Sequence, residues 1–191
     1  IISIINQKGG VGKTTTVINL AAGLSLSNKK ILVIDLDPQG NATTGLGLSN
    51  ADQTPNSIYQ ILSGTKKIDD AISKTKFSNL DIITSNVDLS GLEVETADDV
   101  RRAYILKERL TAYLNNSSGL YDYVLIDCPP SLSLLTVMAL VASHSILVPL
   151  QTEFFALEGI TQLIKTIDRI KVGLNPDLLI RGILLTMYDK R

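Results

Sequence analysis

Between an apolar run, Ile1 to Ile5, and a helical pattern that begins at Thr14 stands the stretch Asn6-Gln7-Lys8-Gly9-Gly10-Val11-Gly12-Lys13-Thr14-Thr15. A strand that enters a glycine-rich turn and leaves it as a helix gathers backbone N–H groups and a helix N-terminus around one point, where they can hold phosphate oxygens. Gly9, Gly10 and Gly12 supply the backbone freedom, Lys13 is placed to reach the β- and γ-phosphates, and the Thr14 hydroxyl to ligate Mg²⁺. The nucleotide-binding stretch so defined is Gly9, Gly10, Val11, Gly12, Lys13, Thr14 and Thr15. It departs from the usual phosphate-loop spacing at one place: Gln7 stands where a glycine is expected, and Lys8, a lysine the common pattern does not require, follows it.

The rest of the chain alternates β-branched apolar runs with helical patterns, the signature of βαβ units and a parallel sheet covered on both faces. Strands are expected at Ile1–Ile5, Ile31–Ile34, Leu80–Thr84, Tyr123–Ile126, Ile146–Leu150 and Leu178–Met187. Helices are expected at Thr14–Ser27, where Val17, Leu20, Ala21 and Leu24 fall near one face, and around Asp98–Asn115, Ser131–Ala142 and Leu157–Val172. The predicted fold is a three-layer α/β domain, a mostly parallel twisted sheet with helices on both faces, in a single unit over residues 1–191. Gly45–Asn56 is the most loop-like segment. Ile1 already lies inside a strand and Arg191 just after one, so the sequence reads as one that continues at its C-terminal end.

Ser131 to Leu150 is an apolar stretch of membrane-spanning length whose one ionisable residue is His144. Ser143-His144-Ser145 interrupts it, and buried parallel strands are themselves nearly continuous apolar runs, so it reads as a helix followed by a strand and no membrane association is expected. With a net charge of -1 the chain lacks the overall basicity that would wrap nucleic acid, and any DNA contact has to be local. Cys128 is the single cysteine, which excludes an intrachain disulfide and suits a reducing cytosol. Cys128 and His144 read as core residues, because a metal site needs more such ligands.

Two acidic strand ends complete the pattern. In Asp35-Leu36-Asp37-Pro38-Gln39-Gly40-Asn41 two carboxylates with period-2 spacing emerge at the carboxyl edge of the sheet, where open α/β sheets bind ligands. A turn-capping role explains such aspartates equally well in isolation; beside a phosphate loop the ligand-facing reading is the stronger. Tyr123-Val124-Leu125-Ile126-Asp127 is an apolar strand ending in one aspartate, the Walker-B arrangement that orients Mg²⁺ or its waters. Cys128-Pro129-Pro130 follows, stiffened by its prolines, as a candidate switch.

Taken in this order the motifs resemble the deviant-Walker ATPases, and Asp35 to Gly45 resembles the ParA/Soj branch that partitions chromosomes and plasmids. Further matching segments are Ile126–Leu132, Glu153–Gly159 and Leu184–Met187. The resemblance implies an ATP- and Mg²⁺-dependent ATPase with weak intrinsic activity. It would be a homodimer in its ATP state, bind DNA nonspecifically, be stimulated by a ParB-like centromere-binding protein, and lie in the cytoplasm on the nucleoid. It makes Lys8 the signature lysine that reaches the phosphates of the other subunit, Asp37 the residue that positions the attacking water, Asp127 the holder of the Mg²⁺ shell and Asp35 a support on the metal side. Catalysis would thus rest on Lys8, Lys13 and Asp37, and the metal on Thr14, Asp35 and Asp127. Arg191 matches a DNA-binding arginine of the Soj group, while a solvated Lys190-Arg191 pair at a strand exit accounts for it as well. Two alternatives are a MinD-like membrane-associated positioning ATPase, which needs a C-terminal amphipathic helix, and a metabolic or redox P-loop enzyme. Of the latter, the nitrogenase-type iron protein needs two cysteines per subunit, and a dethiobiotin synthetase a separate substrate constellation.

Overall fold

Side chains along the strand Ile31–Asp35 are buried throughout and turn to opposite faces with a period of two. Leu32 and Ile34 pack into one hydrophobic core and Ile31 and Val33 into another on the opposite side of the sheet. This is the packing expected of a strand covered on both faces. A computed structural model describes residues 1–48, 56–116, 119–152 and 156–189, with the side chains of 156–158 left aside. The strands are β1 (Ile2–Ile4), β2 (Ile31–Asp35), β3 (Ile72–Lys74), β4 (Leu80–Ile83), β5 (Tyr123–Asp127), β6 (Ser145–Gln151) and β7 (Leu179–Thr186). They form one sheet in the order β3-β4-β2-β5-β1-β6-β7, parallel throughout except for β3, which pairs antiparallel with β4 at the edge.

The longer helices are α1 (Lys13–Leu26), α6 (Ile105–Asn116), α7 (Leu134–Ala142) and α8 (Ala156–Gly173). α1 lays Val17 and Ala21 on the core shared with Ile4, Val33 and Leu125. α6 and α7 cover the other face through Leu106, Leu110, Leu135 and Met138. Leu163, Ile167 and Ile170 of α8, spaced by about one helical turn, close a third core against Ile146 and Val148. α1 ends in a Schellman motif: Asn28 takes φ 59°, the Lys29 N–H donates to the Leu24 carbonyl at 3.0 Å and the Asn28 N–H to that of Ser25 at 3.0 Å. That sharp stop turns the chain directly into β2.

The expected strands and long helices are present, with shifts at their ends. The helix expected from Asp98 begins at Ile105 instead, after a short 3-10 turn at Arg102–Tyr104. The Asp99 side chain accepts the Arg101 N–H at 2.7 Å, a local turn that competes with helix initiation. Five short elements lie where the sequence shows no period: α2 (Asn41–Gly45), α3 (Ile58–Leu62), α4 (Ile68–Ala71), α5 (Leu92–Glu95) and β3. Gly45, expected to open a loop, closes α2, and residues 49–55 of that segment lie outside the described residues.

Cys128 is buried as expected. His144 is exposed and is not a core residue: it occupies the turn from α7 into β6, where the chain comes out at the edge of the sheet opposite the phosphate loop. Ser131–Leu150 is α7 followed by β6, and among the described residues no helix is long and apolar enough to cross a membrane. β7 departs from the buried pattern of its neighbours. Leu179, Ile183 and Leu185 are each more than half exposed, at 59%, 51% and 54%. A bulge shifts its register between Ile146 and Leu147 of β6, so that Arg181 faces no partner residue.

Candidate functional site: the phosphate loop and two acidic strand ends

Strand order brings the motifs together. β5 lies between β1 and β2, and the registers Ile4↔Asp127 and Asp35↔Asp127 set the phosphate loop, Asp127 and Asp35 side by side at one edge of the sheet. This is the carboxyl edge, where open parallel sheets hold ligands. Asn6 anchors the start of the loop. Its Oδ1 accepts the Lys8 N–H at 3.0 Å, and its Nδ2 donates to the Pro149 carbonyl at 2.7 Å. Gly10 at φ 75° and Gly12 at φ 88° take the left-handed conformation that glycine adopts without strain, which aims the loop's backbone inward before α1 begins. The far side is closed by Thr186, whose hydroxyl donates to the Val11 carbonyl at 2.9 Å and whose methyl would touch a Cβ on Gly12.

Lys13, the first residue of α1, curls back over the loop, and its Nζ donates to the Lys8 carbonyl at 3.0 Å. Burial lowers its pKa, while the nearby carboxylates of Asp127 and Asp37 work in the opposite direction. Lys8 and Thr15 are exposed, Thr14 is half-buried and Val11 is buried in the core. Gly9 faces Pro130 of the segment after β5, with an added Cβ 3.9 Å from the proline Cβ. The candidate switch therefore lies beside the phosphate loop.

The two buried aspartates are treated differently by their surroundings. Both oxygens of Asp35 are taken by protein donors: Oδ1 accepts the Asp37 N–H at 3.2 Å, and Oδ2 accepts the Thr43 N–H at 2.8 Å and the Thr43 hydroxyl at 2.7 Å. Burial nonetheless pushes its pKa up to about 6, those hydrogen bonds pulling the other way. Neither oxygen of Asp127 has a partner within hydrogen-bond geometry, although Thr14 stands close enough to hold its pKa down somewhat. Burial, and then the charge of Asp35, push Asp127 up to about 7. An orphaned, buried carboxylate facing a threonine at the head of a phosphate loop fits Mg²⁺, which takes one or two carboxylates or hydroxyls and completes its shell with phosphate and water oxygens. Asp37 is buried as well, with Oδ1 accepting the Gln39 N–H at 3.0 Å.

A stability consequence follows from Asp127. A carboxyl whose pKa rises from 3.8 unfolded to about 7 folded binds more protons in the native state, so its contribution is lost as pH rises through 7. Asp127→Asn removes that buried charge. Without nucleotide, its melting temperature at pH 8 is expected to exceed the parent's by about 2–8 °C, corresponding to roughly 1–3 kcal/mol, and the gain is expected to shrink at pH 5. Thermal unfolding followed by circular dichroism at both pH values reads this directly, and a lower melting temperature at pH 8 would contradict the assignment of Asp127 as an uncompensated charge.

Asn6, Thr43 and Thr186 were not among the residues expected from sequence, and each holds a motif residue in place. Two hollows lie elsewhere. One of about 340 Å³ between α4 and α6 and one of about 480 Å³ beside α3, α5 and α6 are lined by none of the predicted site residues. Lys190 and Arg191, and Glu153 to Phe155 of one matching segment, lie outside the described residues.

The AAA_31 family, an AAA domain, matches residues 1–180. The chain is 51% identical over 191 residues to the chromosome partitioning protein ParA of Caulobacter vibrioides, covering 100% of this chain and 70% of that protein. It is 49% identical over 191 residues to the sporulation initiation inhibitor protein Soj of Bacillus subtilis, covering 100% of this chain and 74% of that protein. Among solved structures it superposes with a TM-score of 0.92 and 39% identity on the cobyrinic acid a,c-diamide synthase of Mycobacterium smegmatis with bound ATP analog and magnesium, covering 100% of this chain and 75% of that one. With a lysine-rich phosphate loop set beside two acidic strand ends on a seven-stranded sheet, and with these relatives, the chain belongs to the AAA domain family as a ParA/Soj-type P-loop ATPase.

Proposed function

We propose that this protein hydrolyses Mg-ATP as a sandwich homodimer, binds DNA without sequence preference in that state, and drives chromosome or plasmid partition with a ParB-like centromere-binding partner. The observation that carries the reading is the exposed Lys8 on the same loop as the inward-turned Lys13, beside an Asp127 that no protein group satisfies. One lysine serves the bound nucleotide and the other is accessible to a second copy. The 51% and 49% identities to partition proteins favour this chemistry over the amide synthesis named for the 39% identical structure. In this reading the protein works in the cytoplasm, on the nucleoid.

In this reading the N–H groups from Gly9 to Thr15 cradle the phosphates, with Lys13 as their cation. Thr14 and Asp127 hold the metal shell, and Asp35 supports it from behind. Mg²⁺, when bound, neutralises charge on the β- and γ-oxygens. Asp37 orients the attacking water. Lys8 enters the partner's site as a cation, as an arginine finger does in trans, so a lone subunit is a poor catalyst. The segment Cys128–Pro130, which lies beside Gly9, is suited to register the γ-phosphate.

Co-sedimentation with DNA of unrelated sequence tests the reading. Retention is expected with ATP, and neither with ADP nor without nucleotide. It is expected to weaken steeply with salt through counterion release, and Arg191→Ala is expected to lower it equally on every sequence. Retention that ignored nucleotide, or a salt-independent footprint on one sequence, would overturn it.

A further inference from the structure

Thr43, in α2, is fully buried, and its side-chain hydroxyl both donates and accepts a hydrogen bond. Its hydroxyl has one proton, which goes to Asp35 Oδ2 at 2.7 Å, and its oxygen accepts the Ser85 N–H at 3.1 Å. Its own N–H reaches the same Asp35 oxygen at 2.8 Å, while the other Asp35 oxygen holds the Asp37 N–H at 3.2 Å. Ser85 lies just beyond β4, the strand beside β2. A single hydroxyl thus ties the ends of two neighbouring strands to the carboxylate that fixes the backbone of Asp37.

Resting on the function proposed above, we infer that Thr43 is a positioning residue for phosphoryl transfer: it holds Asp35 away from the metal site and, through Asp35, sets the place of Asp37. With the Thr43 hydroxyl removed, Asp35 Oδ2 keeps one donor and the Ser85 N–H loses its partner in a dry place. The Asp35 carboxylate lies directly across from Asp127 in the strand register. Held by two N–H groups alone, it can shift toward the charge centre that Asp127 serves, and the Asp37 backbone, bonded to its Oδ1, shifts with it. Turnover depends on that placement, whereas phosphate binding by the Gly9–Thr15 backbone does not involve it.

Three substitutions separate this from a general packing role. Thr43→Val keeps the shape and loses the hydroxyl, Thr43→Ser keeps the hydroxyl, and Thr43→Cys leaves a weak donor of similar size. With saturating Mg-ATP, phosphate release by the valine variant is expected to fall about 10–100-fold, the range typical of outer partners of a metal site, with nucleotide affinity nearly unchanged. Serine is expected to restore turnover and cysteine to fall between. In an Asp35→Ala background, which removes the acceptor, the valine substitution is expected to add little, because both act through one hydrogen bond. Should the valine variant fail to fold, the serine and cysteine variants carry the comparison. Valine or cysteine at the parental rate, serine as slow as valine, or fully additive losses in the Asp35→Ala background would overturn the role of Thr43 while leaving the ATPase reading intact. A parent protein that releases no phosphate from Mg-ATP would overturn that reading itself, and this inference with it.

Discussion

Asp37→Ala protein is expected to bind Mg-ATP as the parent does, to turn it over about a hundredfold more slowly or worse, and to accumulate as a long-lived ATP dimer. No hydrogen bond connects the Asp37 side chain to the phosphate loop; its carboxylate takes the Gln39 N–H at 3.0 Å, and its backbone is fixed by Asp35. Removing it therefore takes away a group that can orient water, and no phosphate contact. Phosphoryl transfer depends mainly on positioning and charge stabilisation, and misplacement of a reactant by about 1 Å costs on the order of 10²-fold. Because hydrolysis is what dissolves the proposed dimer, the variant is also expected to stay on DNA longer than the parent. A variant that turned over at the parental rate would move the catalytic carboxylate to Asp35.

Lys13→Ala and Lys8→Ala are expected to fail at different steps although five residues separate them. Lys13 is buried, with its ammonium already inside the loop at 3.0 Å from the Lys8 carbonyl. Truncating a buried, charge-paired contact costs about 2–5 kcal/mol, so nucleotide affinity in the Lys13→Ala variant is expected to drop roughly 30- to several thousandfold. Lys8 is exposed, and its backbone N–H donates to Asn6, a bond that alanine keeps. The Lys8→Ala monomer is expected to bind nucleotide much as the parent does. Its turnover is expected to fall by about 10³-fold, the lower end of what a cation supplied in trans contributes. Nucleotide titration and phosphate release, run side by side on the two variants, give the comparison.

What could be read from the chain was what lies close together in it. The strand, glycine loop and helix that build the phosphate site span Ile2 to Leu26 without interruption, and Asp127 is marked by the apolar strand that delivers it. The residues that were not legible work across the fold. Thr186 meets Val11 across 175 residues and Ser85 meets Thr43 across 42, and in sequence each is an ordinary polar residue at the end of an element. Thr43 did carry a faint signal, since Asp35 and Asp37 open a turn that leads directly into it. The short α2 to α5 and β3 escaped because three to five residues are too few to display a period. The placement of β5 between β1 and β2 is a tertiary choice, and it is the one that brings Asp35 and Asp127 opposite each other. The different treatment of these two aspartates, one saturated and one orphaned, was invisible for the same reason.

Light scattering coupled to size-exclusion chromatography, with the parent and Lys8→Ala proteins each run in Mg-ATP, in Mg-ADP and without nucleotide, tests the central claim that nucleotide state controls assembly through Lys8. The parent is expected to elute at twice the monomer mass in Mg-ATP alone, and Lys8→Ala as a monomer in all three conditions. A parent whose mass does not respond to ATP, or a Lys8→Ala protein that dimerises with ATP as the parent does, would contradict it.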